Sequence, residues 1–185
     1  MSPDETIDLE LDHSNGRPEA AGDLDPVDRA ILDALQQNAR VTNAAIARRV
    51  SMAPSAVLER IRKLERKGLI RGYEARLNAK ALGHGLTAFT FVRSEETPGD
   101  TSAGELLARI PEVMEVHHTA GHDCYLVKVR VADTDHLGRL LKEFGRIPSV
   151  RDTHTTVVLS TLKESARLPI PVDEEYQAGS DPGVD

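Results

Sequence analysis

Five residues that could bind a metal ion or act in catalysis lie within eight positions of one another: His117, His118, His122, Asp123 and Cys124. Imidazole, thiolate and carboxylate groups are the usual ligands of zinc, and a cysteine beside a histidine can act as a nucleophile. Side chains alternate between the two faces of a strand, so adjacent histidines should point apart and cannot form a compact ligand set. The sequence offers no second Cys/His cluster and no evident oxyanion-stabilising element. We therefore expect neither a metal site nor a catalytic site, and a small enzyme is the weakest alternative.

A second set of residues that could carry a function is the run of cations between residues 40 and 80. This run holds eleven Lys or Arg against three Asp or Glu, a net charge of +8, in a chain whose overall charge is −7. The excess acid lies at the ends, with a net charge of −7 in residues 1–25 and −5 in residues 171–185. A basic segment within an acidic chain is typical of a nucleic-acid-binding surface. The alternatives are a solvated helix face and a regulatory subunit in which this module binds another protein.

Three short helices are predicted to position these cations. Asp25, which precedes a proline, can cap the first helix, and Thr42 can cap the second. Pro54 suits the first turn of a third helix, which Gly68 should end. A short break separates the second helix from the third, and this arrangement predicts a helix-turn-helix domain over residues 24–72.

The third helix has an apolar stripe made by Val57, Ile61 and Leu64. A recognition helix in a major groove presents its N-terminal side chains to base edges, whereas later cations meet phosphates. We therefore expect residues 55–60 of the opposite face to contact bases and the later residues to contact the DNA backbone. The expected DNA-binding residues are Ser55, Ala56, Glu59, Arg60, Arg62, Lys63 and Arg66.

The rest of the chain predicts a different architecture. Residues 69–77 have β-like composition and are predicted to form a strand or wing. This segment leads into a linker strand and turn, which are expected over residues 73–85. From residue 86 to residue 170 the pattern is βαββαβ, the ferredoxin-like arrangement, so the whole chain is an α+β protein. The predicted elements are strands 86–93, 113–119, 124–131 and 150–161, and helices 101–110 and 134–146. Residues 1–23 and 171–185 are expected to be disordered acidic tails.

The third predicted strand has two unlike faces. Tyr125 and Val127 begin an apolar face that should pack on the two helices, whereas Leu126 and Lys128 begin a mixed face. A mixed face on the helix-free side of a sheet suits contact with another subunit better than contact with water. We therefore expect a homo-oligomer.

Eight short stretches of the sequence form a pattern in a fixed order. They are LDPVDRAIL at 24–32, IARRV at 46–50, RIRKLE at 60–65, GLIRGY at 68–73, ALG at 81–83, PEV at 111–113, GHDCY at 121–125 and THTTVVL at 153–159. In these stretches the sequence resembles the Lrp/AsnC, or feast/famine, family of bacterial transcription regulators. This resemblance implies an amino-acid-binding C-terminal domain, a dimer formed through the β-sheets, and often an octamer that wraps double-stranded DNA. It implies no cofactor beyond the amino-acid effector.

The resemblance also implies an effector pocket formed by the loop around Gly121 and by the final strand. His122 and Asp123 then contact the effector, or they simply form a turn. Two departures from the family pattern are Ala53, where serine is usual, and Cys124, where aspartate is usual, with Asp123 in place of an aromatic residue. The loss of an acid predicts an effector less polar than a basic amino acid. The expected effector-binding residues are Thr119, Gly121, His122, Asp123, Cys124, Tyr125, Thr153 and Thr155.

The sequence also predicts the compartment. A single cysteine excludes an intramolecular disulfide. No stretch approaches the roughly 20 apolar residues of a membrane span, and the first residues lack the pattern of a secretory signal. We therefore expect no membrane partner and a cytoplasmic, nucleoid-associated protein.

Overall fold

The computed structural model describes residues 24–97 and 99–171, which form two compact units. Residues 24–75 and 165–171 belong to the first unit, and Arg76–Glu164 form the second. The acidic tails expected at residues 1–23 and 171–185 lie outside the described residues, apart from Pro171.

The first unit contains three helices: α1 (Pro26–Gln37), α2 (Asn43–Val50) and α3 (Pro54–Arg66). As expected, Asp25 and Thr42 cap the first two helices through side-chain oxygens that accept hydrogen bonds from backbone amides. Ala53 occupies the cap position of α3 and makes no such bond.

One apolar core joins these helices. Ile31 of α1, Ile46 of α2 and Val57 of α3 are almost completely buried within it. Amphipathic helices of this length are held mainly by such tertiary packing, because short isolated helices are only marginally stable in water. The three helices therefore depend on one another.

Residues 165–170, here called the C-terminal strap, complete the first unit. The amide of Leu168 donates a hydrogen bond to the side-chain oxygen of Gln36 at 2.7 Å, and the Gln36 amide donates to the Leu168 carbonyl at 3.1 Å. Arg167 forms an ion pair with Asp33, and Ile170 packs against the helical core. The last part of the described chain is thus attached to α1.

The second unit is a four-stranded antiparallel sheet with two helices. Its elements, in chain order, are β1 (Leu86–Ser94), α4 (Ser102–Ala108), β2 (Val113–His118), β3 (Tyr125–Val131), α5 (Thr134–Phe144) and β4 (Val150–Val157). The strand order is β2-β3-β1-β4, so the ferredoxin-like prediction is confirmed. The inward residues of β3 are buried in alternation with half-buried ones, which also confirms the predicted assignment of its apolar face to the core.

Two strand predictions are wrong. Residues 69–77 form no strand, because no other described segment pairs with them and residues 71–77 are exposed. A strand needs a neighbour to satisfy its backbone hydrogen bonds. The last strand ends at Val157 rather than at residue 161. The amide of Val158 still bonds to Thr87, near the start of β1, and beyond that point the partner strand ends.

Candidate functional site

The face of α3 opposite its buried stripe is exposed and cationic. Ala56 is half-buried, whereas the other predicted residues of this face are exposed, with the exception of Arg60. Lys63 and Arg66 form no ion pair within the described parts of the chain. The exposed residues of this face are Ser55, Glu59, Arg62, Lys63 and Arg66.

Arg60 is placed differently from the prediction that it contacts bases. Its guanidinium donates to Oδ1 of the buried Asp28 at 2.8 Å and also bonds to the carboxylate of Asp25. The hydrogen bond to Asp28 is the main cause of the raised pKa of Arg60. Burial alone would raise the pKa of Asp25, but hydrogen bonds from the Asp28 amide and from Arg60 outweigh it and lower that pKa. Arg60 therefore holds α3 to the start of α1, because two carboxylates there attract it.

Glu59 and Arg62 pair with each other on the exposed face. The Arg62 guanidinium lies 2.8 Å from the Glu59 carboxylate, and both side chains are more than half exposed. An exposed ion pair contributes only about 0–1 kcal/mol, so either residue can exchange this contact for one with a ligand. The pair leaves both residues accessible.

The second candidate site is the loop between β2 and β3. The Thr119 amide donates to the Cys124 carbonyl at 2.9 Å, and the Thr119 hydroxyl donates to the Asp123 carbonyl at 2.6 Å. Gly121 has a φ of +147°, which disfavours any residue with a Cβ, and the space around it is open. These two bonds close the loop and leave Gly121 at its exposed tip.

The side chains of this loop differ in their accessibility. His122 is exposed and lies 3.4 Å from the carboxylate of Asp123. The thiol of Cys124 is half-buried, packs beside the core and donates to the carbonyl of Ser94 at 3.4 Å. His122 and Asp123 can thus meet a ligand from solvent, whereas Cys124 faces protein.

Tyr125 is buried on the core face of β3, as the alternation along that strand predicts, although the family resemblance also placed it among the effector-binding residues. Its hydroxyl donates to Glu96 at 2.8 Å, and its ring lies so close to Gly104 that an added Cβ would come within 2.5 Å. Burial, followed by the nearby Glu96, raises the pKa of Tyr125 to about 12. The residue supports the loop from the core.

Glu96 is a residue that the sequence interpretation missed. Its carboxylate also accepts hydrogen bonds from Ser94 and from the Ala103 amide at the start of α4. Burial alone would raise the pKa of Glu96, and the hydrogen bonds from these groups and from Tyr125 lower it instead. No sequence pattern identifies a carboxylate whose partner, Tyr125, lies 29 positions away.

Thr153 and Thr155 lie on the edge strand β4, at the same end of the sheet as the loop. Val92 of β1 pairs with Tyr125 on one side and with Thr153 on the other. Tyr125 and Thr153 are therefore two strand spacings apart, a distance of about 10 Å between their backbones. The Thr155 hydroxyl lies 3.1 Å from that of Thr90. The fold therefore brings the predicted loop and Thr153 into the same row of the sheet, with Thr155 further along the strand.

The helix-free face of the sheet carries apolar residues between neutralised charges. Phe89, Phe91 and Leu126 are half-buried on this face. Lys128 contacts Glu164 and lies 2.9 Å from Glu115, and its pKa is raised, chiefly by the hydrogen bond to Glu164. Paired charges beside half-buried aromatic rings make this face suitable for burial.

Within residues 24–97 and 99–171, no three His, Cys, Asp or Glu residues are arranged to hold a metal ion. The neighbouring histidines are separated as the alternation of strand side chains requires, since the ring of His118 stacks on Tyr125 and His117 contacts Glu115. No helix in this described part of the chain is long and apolar enough to cross a membrane.

Two family models match the chain. Residues 24–71 match a winged helix-turn-helix DNA-binding domain, and residues 87–168 match the Lrp/AsnC ligand-binding domain. The leucine-responsive regulatory protein of Serratia marcescens is 37% identical over 159 residues, which are 84% of this chain and 97% of that protein. That of Escherichia coli strain K12 is 38% identical over 151 residues, 80% of this chain and 92% of the relative.

Solved structures agree with these matches. A feast or famine regulatory protein from M. tuberculosis, complexed with L-methionine, has a TM-score of 0.74 and 36% identity, covering 80% of this chain and 99% of that one. A Neisseria meningitidis transcriptional regulator, also complexed with L-methionine, has a TM-score of 0.72 and 30% identity, covering 79% of this chain and 96% of that one.

The two domains and the relatives are those of a transcriptional regulator and not of an enzyme. The helix-turn-helix unit is the DNA-binding part, and the sheet with α4 and α5 is the ligand-binding part. The sequence resemblance, the fold and the matched relatives lead to one conclusion: the chain belongs to the Lrp/AsnC family of transcriptional regulators.

Proposed function

We propose that this protein binds specific double-stranded DNA sites as a dimer or a higher even oligomer, and that a free amino acid modulates its DNA binding or its assembly. The observation that carries the proposal is the exposed cationic face of α3 on a helix-turn-helix frame. The net charge of +8 between residues 40 and 80 favours DNA over a protein partner for this module. The protein then acts in the bacterial cytoplasm, on the nucleoid.

Different residues of α3 are assigned different roles. The first turns of the helix, with Ser55, Ala56 and Glu59, contact base edges. The later cations Arg62, Lys63 and Arg66 contact phosphates, which position the helix without reading sequence. Arg60 is left out of this set because its guanidinium is already bound to α1.

Binding to fluorescent duplexes at several salt concentrations tests these roles. Replacing Arg62 and Lys63 with alanine should weaken binding to all sequences and reduce the slope of log K against log salt by about 0.9 per lost contact. Ser55→Ala should instead reduce discrimination between sites. Arg139→Ala, on the exposed face of α5, is the matched control and should change neither quantity. Purified protein that binds no fragment of its own upstream region at low salt contradicts the proposal.

The helix-free face of the sheet supports the proposed dimer, with an octamer as a further possibility of the same assembly. Half-buried aromatic residues on a face without helices need cover, and paired DNA half-sites require paired recognition helices. Sedimentation of the wild type should give a dimer or a higher even oligomer. Leu126→Glu places an unpaired acid on this face and should shift the protein toward monomer. A wild type that is monomeric at micromolar concentration is the contrary result.

The effector is proposed to bind at the loop of residues 119–124 and beside Thr153 and Thr155. The open backbone at Gly121, together with His122 and Asp123, offers polar groups to the carboxylate and ammonium of an amino acid. Relatives are named for leucine or were solved with L-methionine, which makes these two the first candidates. Ligand binding can shift DNA affinity only if the ligand prefers one assembly over another.

Two measurements test the effector and its location. Selection of bound genomic fragments with and without each amino acid should show a change with the true effector. Thermal shift should then compare His122→Trp, at the exposed loop, with Arg139→Trp, on α5. The first variant should lose the stabilisation by the effector and the second should keep it. Equal stabilisation of both variants places the pocket elsewhere.

A further inference from the structure

Within residues 24–97 and 99–171, two cations on the exposed face of α3, Lys63 and Arg66, form no ion pair. Among the described residues, only Glu59 forms an ion pair with the exposed cations of this face, and it contacts only Arg62. Lys63 and Arg66 lie beside that pair and are exposed. These positive charges lie close together on one helix face and repel one another. A nearby acidic segment is attracted to this face because it brings the opposite charge.

The N-terminal segment joins the described residues close to α3. Leu24 is buried in the helical core, and the next residue, Asp25, bonds directly to Arg60 of α3. Residues 1–23 carry seven Asp or Glu and one Arg, and they end only two positions before Asp25. This acidic segment is therefore tethered at α3 itself.

We propose that residues 1–23 bind to the cationic face formed by Arg62, Lys63 and Arg66, and that they compete there with DNA phosphates. The competition with DNA rests on the DNA contacts proposed above, whereas the binding of residues 1–23 to α3 does not. Twenty-three residues can span at most about 80 Å, and α3 is about 20 Å long, so the whole face lies within reach. A tether of this length keeps the segment at a local concentration on the order of millimolar.

The C-terminal acids provide a matched comparison. They follow the C-terminal strap, which is attached beside Asp33 and Gln36 in the second half of α1 rather than at α3. Five acids can be neutralised in each tail of the full-length chain, so both variants change the net charge equally. The N-terminal variant carries D4N, E5Q, D8N, E10Q and D12N, and the C-terminal variant carries D173N, E174Q, E175Q, D181N and D185N.

The first experiment needs no DNA. Limited acetylation followed by peptide mass spectrometry measures the reactivity of Lys63, with the exposed Lys142 of α5 as internal reference. At low salt, the N-terminal variant should raise the relative reactivity of Lys63 by about two- to fivefold, because the competing acids are removed. The C-terminal variant should leave it unchanged. Equal reactivity in all three proteins overturns the proposal, even if the protein binds DNA well.

The second experiment measures DNA affinity for the same three proteins. The N-terminal variant should bind a duplex about three- to tenfold more tightly than wild type at 50 mM salt, and the difference should disappear near 300 mM as screening increases. Equal tightening by both variants indicates a general charge effect and overturns the proposal. Absence of DNA binding by all three proteins contradicts the proposed function instead, and the reactivity of Lys63 still decides whether the segment binds α3.

Discussion

Replacing Arg60 with alanine should destabilise the helix-turn-helix unit without removing a DNA contact. Arg60 donates to Asp28 at 2.8 Å, and Asp28 is only 5% exposed, so the substitution leaves a buried carboxylate without its cation. Breaking a fully buried ion pair costs about 3–5 kcal/mol, whereas an exposed pair contributes about 0–1 kcal/mol. The Arg60 side chain is 30% exposed, which places the expected loss between these limits, at about 2 kcal/mol in the free energy of unfolding.

Chemical denaturation measures this loss, and a neighbouring arginine supplies the control. Arg62 also pairs with a carboxylate, but that of Glu59 is exposed, so Arg62→Ala should change the free energy of unfolding by less than about 0.5 kcal/mol. Asp28→Asn in the Arg60→Ala background removes the unpaired charge and should restore part of the stability. In DNA binding the order reverses, because folded Arg60→Ala should keep its affinity and Arg62→Ala should lose some.

One result refutes this reasoning. If Arg60→Ala unfolds within about 0.5 kcal/mol of wild type and yet loses discrimination between DNA sites, the guanidinium contacts bases and its pairing with α1 contributes little.

Three further changes test the supporting contacts. Tyr125→Phe removes a hydroxyl whose pKa is raised to about 12. The wild type should therefore keep its full stability advantage over this variant below pH 10, and the advantage should fall as the pH rises from 10 to 12, as measured by denaturation across that range. Gly104→Ala puts a Cβ within 2.5 Å of the Tyr125 ring and should cost about 1–3 kcal/mol, and a melting temperature equal to that of wild type contradicts the contact. Gln36→Ala loses both hydrogen bonds to Leu168 and should cost about 1 kcal/mol in the free energy of unfolding. Gln37→Ala, whose side-chain amide donates to Asp33 on the same helix, should cost less in the same denaturation assay.

Local signals were sufficient to predict most of the fold. Asp25 and Thr42 cap helices because a short polar side chain reaches amides only a few residues away, and such signals can be recognised from sequence. The alternation along β3 correctly separated the buried face from the open one. Composition alone could not decide the state of residues 69–77, since β-like residues form a strand only where a partner exists.

The site was harder to predict because its contacts join distant parts of the chain. Helical spacing placed Arg60 outside the buried stripe of α3, but it could not show that Asp28, 32 positions earlier, would bind it. Two signals gave Tyr125 different places, because its position in the loop motif assigned it to the effector site whereas the alternation along β3 assigned it to the core, where its ring is buried. Glu96 had no local signal, because its partners come together only in the folded chain.

The C-terminal strap also makes the DNA-binding unit depend on residues that are synthesised after the second unit. The ribosome makes α1, α2 and α3 first, yet Ile170, which packs on their core, is added only after the whole second unit has been made. N-terminal domains commonly fold while the chain is still growing. A nascent or truncated chain that stops before residue 165 holds a helix-turn-helix without the contacts of the strap, and we expect proteases to cleave that unit faster than the unit with the strap in place. The unit that binds DNA thus gains its last described contacts only after translation has passed Ile170.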